Sequence, residues 1–330
     1  MDNIEEALEE LQDLTEGETK LKDIAEELDI PDVKVMGLVN ILKERGLNIV
    51  VVKKDDGIFL LNQGEREYHN DYKHSFNSGN DHKMKFLVIS DTRFGSKFAQ
   101  KTILNELYQR AYEQGINHVI HTGNMTEGLY KMSNNMIDTL IEKDTFSQAK
   151  FVVQNYPYIE GMKTYFITGK KDQTHLKENK IDIGRKIAND RNDLVYIGNK
   201  RCTVYIDNVK MLLLNRNQRK TYTQSYRAQK LIDAMRSEDK PDILLYGGLL
   251  QSEKYLYRDV RVMSIPSVCA STWEMEDKEY SNTVGGWVLE IETDNKGNLK
   301  SMIAYDDIYY VTDNKDFEKA KTLKIVRGIK

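Results

Sequence analysis

Residues 163–174, KTYFITGKKDQT, decide how the chain is read. A run rich in β-branched and aromatic residues, of the length of one buried strand, passes without a break into Gly169, two lysines and an aspartate. Three other stretches have the same build: KFLVIS (85–90), HVIHTG (118–123) and DILLYGG (242–248) each lead straight into a Gly or Asp loop. Between KFLVIS and HVIHTG, Leu104, Leu107, Tyr108 and Ala111 recur at helical spacing and Gly115 supplies the stop. Strand, helix, strand repetition implies an α/β layer fold with parallel pairing. RCTVYIDNVKMLLLN (201–215) reads instead as a hairpin turning at Asp207–Asn208. The strand-rich VRVMSIPS (260–267), GWVLEIETD (286–294) and LKSMIAYDDIYYV (299–311) call for a second, mixed sheet packed on the first.

The N-terminal region has a different period. Ile4, Leu8 and Leu11 share one helical face, as do Leu21, Ile24 and Leu28; Pro31–Asp32 then open a third helix in which Val35, Leu38, Val39 and Leu42 recur. Two apolar runs follow around Asp55–Asp56–Gly57, a hairpin signature. This order resembles a winged helix-turn-helix domain over residues 1–64. Residues 65–83 have no apolar period and read as a linker; His69, His74 and His82 lie there among acids, but a solvated linker lacks the rigid shell that orients metal ligands. The basic residues 312–330 read as a C-terminal tail, either an added contact or a solvated terminal helix.

With 40% hydrophobic and 30% charged residues, the 330-residue chain is long enough for two globular domains and is not a disordered one. No apolar run is long enough to span a membrane, and the acidic start lacks the regions of a signal peptide, so the expected compartment is the cytoplasm. Two isolated cysteines exclude a disulfide framework or a cysteine zinc site. Residues 1–64 hold 16 Asp and Glu against 7 Lys and Arg, net −9, which leaves +5 for the rest of a chain whose overall charge is −4. The two parts are expected to meet different partners.

In open α/β sheets, ligand sites form at the carboxyl ends of strands. The loops in that position are SDTRFGS (90–96), HTGN (121–124), TGKKD (168–172), LLN (213–215) and YGGLL (246–250). Their order resembles the calcineurin-like metallophosphoesterase family, over residues 84–311. DTRFGS, GMKTYFITG, IDIGRKIA, KPDILLYGG and VGGWVLEIETD are similar to bacterial and phage members that carry an N-terminal helix-turn-helix. The resemblance implies a two-sheet α/β sandwich preceded by a small winged-helix domain, in a phage-encoded protein of the host cytoplasm or the virion.

The family's chemistry uses two divalent ions held by D-x-H, G-D, G-N-H-D/E, a lone H and G-H-x-H. Carried over by position, Asp91 matches the first aspartate, but Arg93 stands for a histidine ligand and Asn124 for the bridging aspartate. Lys170 replaces the asparagine ligand, Lys171 the histidine that assists the leaving group, and Asp172 is kept. Asn215 replaces the lone histidine, and Gly248 and Leu250 replace the last two. A cation cannot ligate a cation, and Gly and Leu offer no side-chain lone pair. The expectation is no catalytic residue, no metal and no cofactor.

Two readings of the altered site compete. Arg93, Lys170, Lys171 and Arg216 form an anion site, or Arg93 pairs with Asp91 and Lys171 with Asp172 to fill a closed cavity. His121 and His175 are expected to be packed rather than ligating. Lys34, Lys43, Arg45, Lys53 and Lys54 are candidate phosphate contacts of the winged helix, although its acidity makes a protein partner as good a fit as nucleic acid. The function expected is a catalytically inactive binding, regulatory or structural module. The alternatives are a phosphodiesterase or nuclease with an unusual metal set, and a scaffold component of a viral particle or polymerase complex.

Overall fold

The computed structural model describes residues 2–15, 18–44, 49–62, 72–130, 135–215, 225–277 and 281–326; Arg45 and Arg216 lie outside the described residues. The chain divides into two compact units, Met1–Asp71 with Thr223–Lys240, and Tyr72–Tyr222 with Pro241–Lys330.

In the first unit the helix Asp2–Leu14, strand β1 (Thr19–Lys20), the helices Leu21–Leu28 and Asp32–Glu44, and strands β2 (Ile49–Lys54) and β3 (Gly57–Asn62) follow in order. The antiparallel sheet runs β1-β3-β2. Leu8, Leu11, Leu21, Ile24, Val35, Leu38, Val39, Leu42, Ile49 and Leu60 make its core. Ile4, expected on the buried face, is exposed in the first turn of its helix. The helix Tyr226–Ala234 joins this unit from far along the chain. It buries Ala228 and Ile232 and lays Arg227 on Glu27 (2.5 Å) and Lys230 on Asp23 (3.5 Å), acids one turn apart on Leu21–Leu28. Residues 84–311 therefore do not all go to one body, as the linear reading had them; the segment 223–240 groups with the first unit through buried Ala228 and Ile232 and these two ion pairs.

The second unit is a sandwich of two six-stranded sheets. Its strands are β4 (Lys73–Phe76), β5 (Lys83–Ile89), β6 (His118–His121), β7 (Tyr158–Ile159), β8 (Lys163–Thr168), β9 (Leu194–Asn199), β10 (Arg201–Ile206), β11 (Val209–Asn215), β12 (Ile243–Gly247), β13 (Glu253–Tyr257), β14 (Val260–Ser264), β15 (Val284–Thr293), β16 (Leu299–Tyr309) and β17 (Lys324–Ile325). One sheet runs β16-β15-β5-β6-β8-β9, the other β13-β14-β12-β11-β10-β4. The runs that lead into Gly or Asp loops are parallel, β5-β6-β8 in the first sheet and β12 beside β11 in the second. Because strand side chains alternate, Phe86 and Val88 face the inner core with Ile120, Ile167, Leu213 and Leu245, while Leu87 and Ile89 face the helix-side core with Leu104, Leu107 and Val152.

Two segments differ from expectation. Residues 73–76, inside the expected linker, form β4 parallel to β10, and His74 stacks against Phe76 and Tyr165, each 4.8 Å away between ring centroids. The expected tail is sewn down. Asp316 accepts from the Thr102 amide (2.8 Å) and hydroxyl, capping the helix Lys101–Glu113, whose own Gln100 makes no side-chain cap. Gln100 and Asp313 exchange two bonds (2.8 and 2.9 Å), and β17 adds to β7. Among the described residues, no helix is long and apolar enough to cross a membrane.

Ile232 tests the two-segment unit. Ile232→Asp places a charge in a fully buried position, so it is expected to lower stability by several kcal/mol and to speed amide exchange in Leu21–Leu28 while leaving β5 and β6 protected.

Candidate functional site

The loops after β5, β6, β8, β11 and β12 meet at one end of the sandwich, and their backbones are unusual. Asp91, Arg93, Asn124 and Leu250 all have left-handed φ, between 47 and 61°. Non-glycine residues held there cost roughly 1 to 3 kcal/mol each, and such strain gathers where loops are shaped for a site. The side chains these loops present are tied to one another.

Asp91 is fully buried, and both its oxygens are taken. Oδ1 accepts from Asn124 Nδ2 (2.9 Å) and from Arg93 Nε and Nη2 (3.3 Å each); Oδ2 accepts from Ser90 Oγ (2.8 Å) and the Gly248 amide (3.1 Å). Asn124 Oδ1 accepts from the Lys171 amide (2.9 Å). Asn215 Nδ2 donates to Thr122 O (2.7 Å), while its Oδ1 is buried without a hydrogen-bond donor. That oxygen and Asn124 Oδ1 both crowd Gly169: a Cβ there would meet them at 2.5 and 2.2 Å, so only glycine fits between the two amides. Leu250 contributes its carbonyl, which accepts from the Thr283 amide (2.7 Å).

The two metals implied by the family resemblance do not fit these residues. The one retained aspartate is bonded to a guanidinium and to an amide nitrogen, Arg93 brings a cation where a ligand would be needed, and position 248 supplies only its backbone amide. Among the described residues no group of three or more His, Cys, Asp or Glu is arranged to hold a metal.

The charges are balanced by a residue that the motifs did not single out. Glu127, 1% exposed, faces Arg93 Nη1 through Oε2 (3.8 Å) and Lys171 Nζ through Oε1 (3.1 Å); Lys171 also donates to Tyr130 Oη (2.6 Å). Burial works against the charged guanidinium of Arg93, but Glu127 and Asp91 outweigh it and raise its pKa above the ordinary arginine value. The expected Arg93–Asp91 pair is present. The expected Lys171–Asp172 pair is not: the Asp172 carboxylate accepts from the amides of Met125 (3.2 Å), Thr126 (2.8 Å) and Gly169 (2.8 Å) and from Thr126 Oγ1 (2.7 Å). It tethers the loop after β6 to the start of the helix Lys170–Asn179, which Lys170 opens, half-buried. The only hint of Glu127 in the sequence was an acid three residues beyond Asn124, followed by a glycine, in NMTEG.

Both nearby histidines are packed. His121 Nδ1 accepts from the Gly123 amide (3.1 Å), so Nε2 carries the proton toward Thr92 Oγ1 (3.1 Å), which donates on to Met125 O. Thr126 Oγ1 gives its proton to Asp172, so it accepts from His175 Nε2 (3.1 Å); Nδ1 of that ring accepts from Thr145 Oγ1 (2.9 Å). Of the candidate basic residues in the first unit, Lys34, Lys43 and Lys53 are exposed, and Lys54 is paired with Glu18 (2.7 Å) over the Phe59 ring.

No protein-family model matches the sequence, and no curated protein matches it. Solved structures that resemble this chain include an archaeal phosphodiesterase (12% identity, TM-score 0.39, covering 68% of this chain and 100% of that one). They also include Vps29 of Entamoeba histolytica complexed with zinc (16%, 0.35, 68% and 99%) and the phosphoesterase Yfce of E. coli (13%, 0.35, 67% and 98%). These values describe a distant likeness in chain path.

The buried groups set a pH dependence. Burial lowers the pKa of His121 to about 3 and of His175 to about 4, below the unfolded 6.5. As pH falls from 6.5 the unfolded chain takes up protons that these rings refuse, so stability drops. Asp172 acts oppositely: burial raises it to about 6 from 3.8, so in that window the folded state binds the extra proton and stability falls as pH rises. His74 and His118, also lowered by burial, act in the same direction as these two rings, and the net expectation is acid destabilisation between pH 6.5 and 4. Denaturant unfolding across this range should show His175→Gln flattening the slope by up to about 1.4 kcal/mol per pH unit and Asp172→Asn steepening it.

Proposed function

We propose that the chain is a catalytically inactive, metallophosphoesterase-like protein acting as a binding, regulatory or structural module. The observation that carries this reading is the Arg93 guanidinium bonded to Asp91 (3.3 Å), where the family resemblance expects a histidine beside a metal. Several altered motif positions have a bond of their own within the chain: Asn124 to Asp91, Asn215 to Thr122 O, Gly248 to Asp91, Lys171 to Glu127. The loops keep the shape of a site and have filled it with protein groups.

The binding part of the proposal rests on the first unit, read as a winged helix. Val33, Lys34, Gly37, Asn40 and Lys43 are exposed on the helix Asp32–Glu44. Among the described residues nothing lies within 4 Å of where a Gly37 Cβ would sit, so none of them requires glycine there. A glycine inside a helix costs about 1 kcal/mol relative to alanine, and a partner that approaches the backbone closely gives it a use. Nucleic acid or protein both suit a small, polar stripe flanked by two lysines.

Hydrolysis of a generic phosphodiester tests the reading. With manganese, zinc or iron added, the wild-type chain is expected to turn over no faster than Asp91→Ala. Metal-dependent turnover that Asp91→Ala abolishes would establish the enzyme alternative instead.

A further inference from the structure

We infer that Arg93 and Lys171 form an anion-binding site held shut by the chain's own Glu127 carboxylate, and that the ligand it takes is a small tetrahedral oxyanion such as phosphate. This rests on the reading of the site as metal-free and adds to it a ligand class and the residue that controls access.

The geometry is that of a bound oxyanion with a protein group in its place. One carboxylate oxygen meets Lys171 Nζ at 3.1 Å and the other faces Arg93 Nη1 at 3.8 Å. The second oxygen is buried and has no hydrogen bond, so Glu127 neutralises Arg93 without engaging its planar fork, which a phosphate can do with two oxygens at once. Asp91 cannot substitute for it, because both Asp91 oxygens are already bonded to Asn124, Arg93, Ser90 and Gly248.

Glu127 is delivered by a fixed backbone. Its amide donates to Phe94 O (3.0 Å), and Gly128 exchanges two bonds with the Gln148 side chain (3.1 and 2.7 Å). Gly128 has φ +81°, and a Cβ there would meet Lys171 O at 2.3 Å, so the chain is pressed against the lysine it neutralises. The side chains of Arg93 and Glu127 are 7% and 1% exposed, and that of Lys171 is 20% exposed. So little of the cluster reaches solvent that a small ion suits it better than a polymer backbone.

The test is thermal unfolding and calorimetric titration of the full-length Glu127→Ala protein with inorganic phosphate. Wild type is expected to show no melting shift. Glu127→Ala is expected to melt lower without phosphate and to gain roughly 3 to 6 °C at phosphate about tenfold above Kd, the gain shrinking as sodium chloride is raised. Glu127→Ser is the second variant should Glu127→Ala fold poorly, and each is expected to bind phosphate at least tenfold more tightly than wild type. The inference is overturned if neither variant exceeds wild type, or if a short oligonucleotide stabilises them and phosphate does not. Metal analysis of the same preparations separates the two readings. Stoichiometric manganese, zinc or iron contradicts the proposed function, whereas phosphate indifference in a metal-free chain contradicts only this inference.

Discussion

The guanidinium of Arg93, bonded to Asp91 and facing Glu127, is the interaction around which the loop end of the sandwich is organised. Removing one partner of a buried ion pair typically costs 3 to 5 kcal/mol, because the other charge is left uncompensated. Asp91, Arg93, Glu127 and Lys171 come from three loops that the sheet brings together, and their charges cancel. A cluster of this kind stabilises less than apolar packing of equal volume, yet it specifies one arrangement of the loops. Of the four left-handed non-glycine residues, Asp91, Arg93 and Asn124 are tied together by these bonds, and Leu250 by its carbonyl to the Thr283 amide.

The sandwich was legible because its strands announce themselves twice, by apolar runs of strand length and by the glycines that end them. Gly169 shows why such a position is informative: no side chain fits between the amides of Asn124 and Asn215. At the loop positions named from the family resemblance, residue type could be read from the sequence directly, with cations, amides, a glycine and a leucine among them. The partners of the new side chains were not. Lys171 is adjacent to Asp172 in sequence, but Asp172 faces three amides and a hydroxyl, and Lys171 turns to an acid more than forty residues away. Neighbours along a helix start do not face each other, and periodicity carries no record of which loop lies opposite.

The same limit explains the two segments that moved. Residues 73–76 and 312–326 lack the apolar patterning of core elements because they bind at edges, through backbone pairing and through single polar anchors such as Asp316. The helix Tyr226–Ala234 follows β11 and precedes β12 in the chain, inside the stretch assigned to the sandwich. On the first unit it buries Ala228 and Ile232 and sets Arg227 and Lys230 against Glu27 and Asp23, a match between segments some 200 residues apart. The first unit is thereby built from two stretches of chain.

On the function proposed above, protein charges stand where the resemblance would put metal ions. Crystals soaked in manganese and measured at the manganese absorption edge test it most directly. The account predicts no anomalous peak near Asp91, with the Arg93 guanidinium in density against both Asp91 and Glu127. A peak bridging Asp91 and Asn124, with Arg93 swung away, would contradict it.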